Sequence, residues 1–152
     1  IVGYNLGAQK IDRVKQTLKL GIVSGVVITS SGFFICELFP HAVSAIFTDS
    51  DHLIDLAVDG LRITVIMFPF VGAQIVIDNF FQSIGKAKIS IFLSLTRQLL
   101  YLLPCLLLFP NWWGLKGIWI SMPVSDALAF ITAVVSLIIY IKKVSKQHPI
   151  AE

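Results

Sequence analysis

Residues 115–141 read LKGIWISMPVSDALAFITAVVSLIIYI and carry only two charged side chains, Lys116 and Asp126. An α-helix rises about 1.5 Å per residue, so a helix of about 20 apolar residues crosses a hydrocarbon core of roughly 30 Å. This stretch has the required length and apolar character. It therefore predicts a helix that spans a lipid bilayer.

Three further stretches share this character, and they occupy residues 17–39, 60–84 and 89–109. The whole chain of 152 residues is 56% hydrophobic and 14% charged. Soluble domains carry about 25% charged residues, so an ordinary globular core is the poorer interpretation. We therefore predict an all-α fold, a polytopic transmembrane helix bundle whose four spanning helices lie within residues 17–141.

The basic residues lie at alternate ends of the four apolar stretches. From the first end to the last they number 4, 0, 2, 1 and 3. Because cytoplasmic loops of membrane proteins are enriched in Lys and Arg, this alternation predicts a cell (inner) membrane protein with both termini in the cytoplasm. Residues 1–16 would then form a cytoplasmic amphipathic segment, and residues 142–152 a cytoplasmic tail.

Several function classes have no support in the sequence. The basic residues do not gather into a patch with interleaved aromatic residues, which disfavours nucleic-acid binding. No nucleophile–His–acid set, HExxH motif, phosphate-binding loop or dinucleotide fingerprint is present, so we predict neither an enzyme nor a bound cofactor. The cysteines Cys36 and Cys105 each lie alone in an apolar stretch, and no metal site is predicted.

A polar stripe closes the second apolar stretch. Gln74, Asp78 and Gln82 recur every fourth residue and share one helix face, and Asn79 lies beside them. A carboxylate inside a bilayer is costly, so Asp78 should face protein or a water-filled cavity. Burial favours its neutral form and a bound cation favours its charged form, which makes this stripe a candidate for ion coupling or for the substrate cavity. The alternative is a structural cap that bonds to a neighbouring helix.

Arg97 and Asp126 form a second pair of intramembrane charges. Each lies about 13 Å from the nearer end of its own stretch, at the helical rise of 1.5 Å per residue. Both therefore reach the middle of the bilayer on antiparallel helices, where pairing would remove most of the cost of either charge. We predict an intramembrane ion pair, either structural or part of a gate, and Asp78 is the alternative partner for Arg97.

Several segments resemble the multidrug and toxic compound extrusion (MATE) family of transporters. In order along the chain they are GYNLGAQK at residues 3–10, GLRI at 60–63, FPF at 68–70, FFQSIGKA at 80–87, LTRQ at 95–98, and Trp119, Pro123, Ser125 and Asp126 in the pattern WxxxPxSD. The first resembles the segment that follows the eighth helix of that family, and the others resemble its tenth to twelfth helices. The resemblance covers nearly the whole chain and keeps order and spacing.

The resemblance implies that the chain is the last four helices of a twelve-helix secondary transporter, and that the remaining helices of a parent protein are its partners. Such a transporter exports small cationic or aromatic compounds in exchange for Na⁺ or H⁺. Asp78 lies in the helix where some members carry an acidic ion-site residue. Two alternatives remain at this point, a lipid-linked saccharide flippase of the same superfamily and a small membrane scaffold subunit that does not transport.

Overall fold

The chain folds into helices joined by short turns. The structure is a computed structural model that describes residues 1–147, with side chains described through residue 144. Its helices are α1 (Val2–Gly7), α2 (Ile11–Leu38), α3 (Pro40–Ala45), α4 (Asp51–Thr64), α5 (Phe68–Ser83), α6 (Ala87–Leu95), α7 (Leu103–Trp113) and α8 (Leu115–Gln147). A 3₁₀ turn at Val65–Met67 joins α4 to α5, and a π-helical segment at Thr96–Leu102 joins α6 to α7.

Four continuous helical spans result, and each is long and apolar enough to cross a membrane. They are α2, α4 with α5, α6 with α7, and α8. The described part of the chain contains no β-strand, so the predicted all-α bundle of four spanning helices is confirmed. The first two spans are joined by residues 39–50, which include α3, and the later spans follow one another through short turns. Neighbouring spans in the sequence therefore run antiparallel.

The helices extend beyond the spans that the sequence predicts. Residues 11–16, the end of the predicted amphipathic segment, belong to α2 and lead directly into the first span. Residues 142–147, the first part of the predicted tail, continue α8. Hydropathy marks where a helix enters lipid, whereas backbone hydrogen bonds continue into the polar residues beyond. The rest of the predicted tail, residues 148–152, lies outside the described residues.

Proline shapes the second and third spans. Pro69 follows the 3₁₀ turn at Val65–Met67, where a kink is expected because proline lacks an N–H and crowds the preceding turn. Pro104 directly follows the π-helical segment. It cannot donate to the carbonyl of Leu100, so the wider π turn precedes it where the α-helical pattern would fail.

The third span is longer at its far end than we predict from the sequence. The predicted stretch ends at residue 109, but α7 continues through Pro110 to Trp113. The side-chain amide of Asn111 donates to the carbonyl of Leu107 at 2.9 Å and supports this last helical turn. The turn begins at Gly114, whose positive φ of 55° suits a residue without a Cβ.

The tightest helix contact joins α2 to α5 through two glycines. A Cβ placed on Gly72 would lie 2.5 Å from the carbonyl oxygen of Gly25, and it would also meet the hydroxyl of Thr29. The backbones can approach this closely only because both positions lack a side chain. The contact fixes α5 against α2, and α5 also packs against α8. Thus α5, which carries the polar stripe, lies at the centre of the bundle.

Candidate functional site

Two oxygen atoms on α5 are buried and have no hydrogen-bond partner among the described residues. They are Oε1 of Gln74 and Oδ1 of Asp78, one helical turn apart on the same face. Gln74 is only 1% exposed. A buried polar atom without a partner costs about 1–3 kcal/mol, so natural proteins keep few of them. Among the described residues, these two oxygens therefore form no cap to a neighbouring helix.

The other two residues of the predicted stripe lie elsewhere. Asn79 is exposed, and its side-chain amide donates to the carbonyl of Ile75 on its own helix at 2.9 Å. Gln82 is exposed near the end of α5. Successive fourth positions drift by about 40° around an α-helix, so Gln82 is turned by roughly 80° from Gln74. The structure therefore groups Gln74 with Asp78 and places Asn79 and Gln82 outside this group.

Arg97 and Asp126 form an ion pair between the third and fourth spans. Both Nε and Nη2 of Arg97 lie 2.8 Å from the same carboxylate oxygen, Oδ1 of Asp126. The side chain of Asp126 is 11% exposed and that of Arg97 is 35% exposed. Charge-assisted bonds of this length are strong, and they neutralise two charges that would be costly in lipid. The structure thus brings together the two residues that sequence depth had matched.

Asp78 on the second span is the alternative partner that the sequence predicts for Arg97. Among the described side chains Arg97 forms its ion pair with Asp126 and not with Asp78.

A hydrogen bond that sequence reasoning missed lies one turn beyond Arg97. The hydroxyl of Tyr101 lies 2.8 Å from that of Thr132 on α8. Arg97 and Tyr101 are four residues apart and therefore lie on one side of the helix, facing α8. This four-residue spacing is the signal that the sequence contained. Since the two helices are antiparallel, and Asp126 precedes Thr132 on α8, the contacts Arg97–Asp126 and Tyr101–Thr132 cross each other.

Two serines on α8 are buried beside this region but are fully satisfied within their own helix. Ser121 donates to the carbonyl of Gly117 at 2.7 Å, and Ser125 donates to that of Met122 at 2.8 Å. Sequence reasoning had assigned neither a role. Since their hydroxyl donors are already engaged, they contrast with Gln74 and Asp78, whose oxygens are unpartnered.

Comparison with solved structures identifies the same architecture in longer proteins. A chain described as protein A is 37% identical, with a TM-score of 0.83 over 90% of this chain and 31% of that chain. An inward-facing multidrug resistance MATE family transporter of the MOP superfamily is 20% identical, with a TM-score of 0.90 over 96% of this chain and 34% of that one. A Vibrio cholerae MATE transporter in its bent form is 19% identical, with a TM-score of 0.85 over 95% of this chain and 33% of that chain.

The chain thus spans about one third of the length of the solved proteins that it matches. No curated protein sequence matches it. The MatE family model, however, matches residues 1–107, which is more than half of the chain. The predicted family is confirmed, and the chain belongs to the MATE family of multi-pass membrane transporters.

Proposed function

We propose that these helices are the C-terminal four of a twelve-helix exporter that expels small cationic or aromatic compounds in exchange for Na⁺ or H⁺. Membership of the family supports a membrane transporter, and the matched structures are about three times as long. The lysine-rich end of the bundle, with both termini, faces the cytoplasm in this proposal because of the positive-inside rule.

The observation that carries the coupling proposal is the unpartnered pair of oxygens on Gln74 and Asp78. Oxygen atoms are the ligands that hard cations prefer, and a carboxylate can alternatively take a proton. We assign Asp78 the exchangeable charge and Gln74 a neutral oxygen beside it. Na⁺ and H⁺ both fit this pair, and both would remove the net negative charge of Asp78.

Arg97, for which the sequence predicts Asp78 as the alternative partner, gives this site a consequence for conformation. With Asp78 charged and no cation bound, Arg97 is attracted by two carboxylates, Asp78 and Asp126. When a cation or proton neutralises Asp78, the attraction between Arg97 and Asp126 is left without competition. Ion binding on the second span would thereby strengthen the contact between the third and fourth spans. Coupled transport requires that the bound ion stabilise one helix arrangement relative to another, and this effect on the ion pair would provide that difference.

The test is Asp78→Asn in the full transporter, with efflux of a fluorescent organic cation from membrane vesicles driven by a sodium or pH gradient. We expect coupled efflux to fall to the level without a gradient, while thermal stability stays equal or rises, because the orphan carboxylate is removed. Asp59→Asn, at an exposed position of α4, is the matched control for loss of one carboxylate. Unchanged coupled efflux of Asp78→Asn at equal expression would remove Asp78 from the mechanism.

The intact mass of the native polypeptide in its source membrane tests the transporter proposal against a free-standing scaffold. We expect a chain about three times as long, since the matched region is 31–34% of the solved proteins. A native chain of only 152 residues would favour four helices that assemble with themselves or with a partner.

A further inference from the structure

A notch at the lysine-rich end of the bundle has walls of two different chemical kinds. It lies between the start of α6 and the last turns of α8, and its volume is about 580 Å³, within the range of small-molecule sites. The principal lining residues are Lys86, Ile89, Ser136, Ile139, Tyr140 and Lys143. Basic and hydroxyl groups thus share the notch with branched aliphatic side chains, and none of its lining residues is acidic.

The two ammonium groups of the notch have no anionic partner in the part of the chain whose side chains are described. Lys86 and Lys143 are exposed, and neither forms an ion pair there. They come from different helices and converge on the same notch. Two unpaired cations at one site attract an anion more strongly than the same cations dispersed over a surface.

Two hydroxyl groups can add hydrogen bonds to such an anion. Among the described side chains, neither Ser136 nor Tyr140 has a hydrogen-bond partner, and both line the notch. The ring of Tyr140 packs edge-on against Phe80 and Phe81, with centroids 6.0 and 5.7 Å away. The ring position is therefore fixed by the core, so that its hydroxyl loses little freedom when it binds a ligand.

The apolar wall distinguishes a lipid from a soluble anion. Ile139 is 62% exposed, and together with Ile89 it lines the apolar part of the notch. Ile139 lies within the fourth apolar stretch, residues 115–141, so its surface suits a lipid tail. A soluble phosphate has no group to cover these aliphatic surfaces, whereas a phospholipid carries a phosphate and acyl chains in one molecule.

We propose that this notch binds an anionic phospholipid, with the phosphate between Lys86 and Lys143 and an acyl chain along Ile89 and Ile139. Basic pockets between spanning helices at the cytoplasmic side suit acidic headgroups. The site is separate from Gln74 and Asp78, and it does not depend on the transport proposal.

The probe is phosphatidylglycerol, titrated onto the purified membrane protein in neutral detergent and followed by native mass spectrometry. Lys86→Gln with Lys143→Gln removes the two notch lysines. Lys88→Gln with Lys142→Gln removes two exposed lysines of the same turn and helix that do not line the notch, with the same change of net charge. The loss of about 1 kcal/mol per lysine corresponds to about 30-fold weaker lipid binding for Lys86→Gln with Lys143→Gln. For Lys88→Gln with Lys142→Gln we expect the lipid affinity to change by less than about threefold.

Three results would overturn the proposal. Equal losses in both double variants would mean unspecific attraction to net charge. Phosphatidylcholine bound as tightly as phosphatidylglycerol would mean that the headgroup charge is not recognised. Displacement of the lipid by an equal concentration of glycerol 3-phosphate would mean a soluble phosphate site. The single variants Lys86→Gln and Lys143→Gln, each expected to weaken binding about fivefold, serve if the double variant is poorly folded.

Discussion

One carboxylate oxygen of Asp126, Oδ1, accepts a hydrogen bond from Nε of Arg97 and lies equally close to Nη2. Nε and Nη2 of the guanidinium both lie 2.8 Å from Oδ1, and the contact ties the third span to the fourth. The charge on each residue is tolerable in a membrane because the other is present. A double-mutant cycle measures that dependence directly.

Arg97→Ala alone should destabilise the folded protein more than Arg97→Ala combined with Asp126→Ala, because the single change leaves Asp126 buried without its partner. We expect a coupling of about 1–3 kcal/mol between the two positions. Thermal unfolding in detergent of the two single variants and the double variant gives the value. Additive losses would show that the contact contributes no interaction energy.

Gln74→Met should raise stability by about 1 kcal/mol, because the buried oxygen without a partner is replaced by an apolar group of similar length. The measurement is the unfolding midpoint in detergent, without added sodium and with it. If Gln74 contributes an ion ligand, added sodium should stabilise the unchanged protein more than Gln74→Met, because a ligand stabilises only the protein that binds it. The difference between their unfolding midpoints should then become smaller. A large loss of stability in Gln74→Met would instead identify this amide as a structural cap.

Gly72→Ala should destabilise the bundle by about 1–3 kcal/mol, because the new Cβ has no space against the backbone of Gly25 and α2 has to move away. Gly32→Ala is the matched control on α2, where a Cβ would meet nothing within 4 Å. The control should be neutral or slightly stabilising, since alanine favours a helix over glycine. Comparable losses at both positions would refute close packing at Gly72.

Tyr101→Phe should cost about 0.5–1 kcal/mol, through loss of the hydrogen bond to Thr132. The loss stays small because Thr132 keeps its bond to the carbonyl of Leu128 at 2.9 Å, so no buried hydroxyl is orphaned. Tyr4→Phe, at an 81% exposed position with no described side-chain bond, is the control. Chemical denaturation in mixed micelles would compare the stabilities of Tyr101→Phe and Tyr4→Phe. Equal stabilities of these two variants would argue against the hydrogen bond of Tyr101.

The four spans could be predicted because lipid imposes a length and a polarity on every helix that crosses it. The pairing of Arg97 with Asp126 was predictable for a related reason. Two opposite charges at one depth on adjacent antiparallel helices lower the free-energy cost of lying in the bilayer when they pair. Depth along a helix is readable from residue counts. Direction around the helix is also readable, because the drift of about 40° at every fourth residue turns Gln82 away from Gln74. The predicted stripe treated all fourth positions as one face and overlooked this drift.

Features that depend on neighbours were not readable. The third stretch was predicted to end at residue 109, directly before Pro110, but a membrane helix tolerates the hydrogen bond that a proline removes when nearby groups compensate. The π-helical segment at Thr96–Leu102 left no periodic signature in a stretch that is apolar on most sides. The notch between Lys86 and Lys143 depends on two turns that are far apart in sequence, and charge counting registered these lysines only as markers of topology.

The crossing of Arg97–Asp126 with Tyr101–Thr132 has a mechanical consequence. If α8 slides along its neighbour in one direction, the first contact stretches while the second is relieved, and the opposite slide reverses their roles. Together the two contacts resist sliding of the third span against the fourth in both directions. They do not oppose a tilt of the two helices as one body. We therefore expect the third and fourth spans to move as one rigid body. Conformational changes of a larger assembly would then occur at the interfaces between this helix pair and other helices.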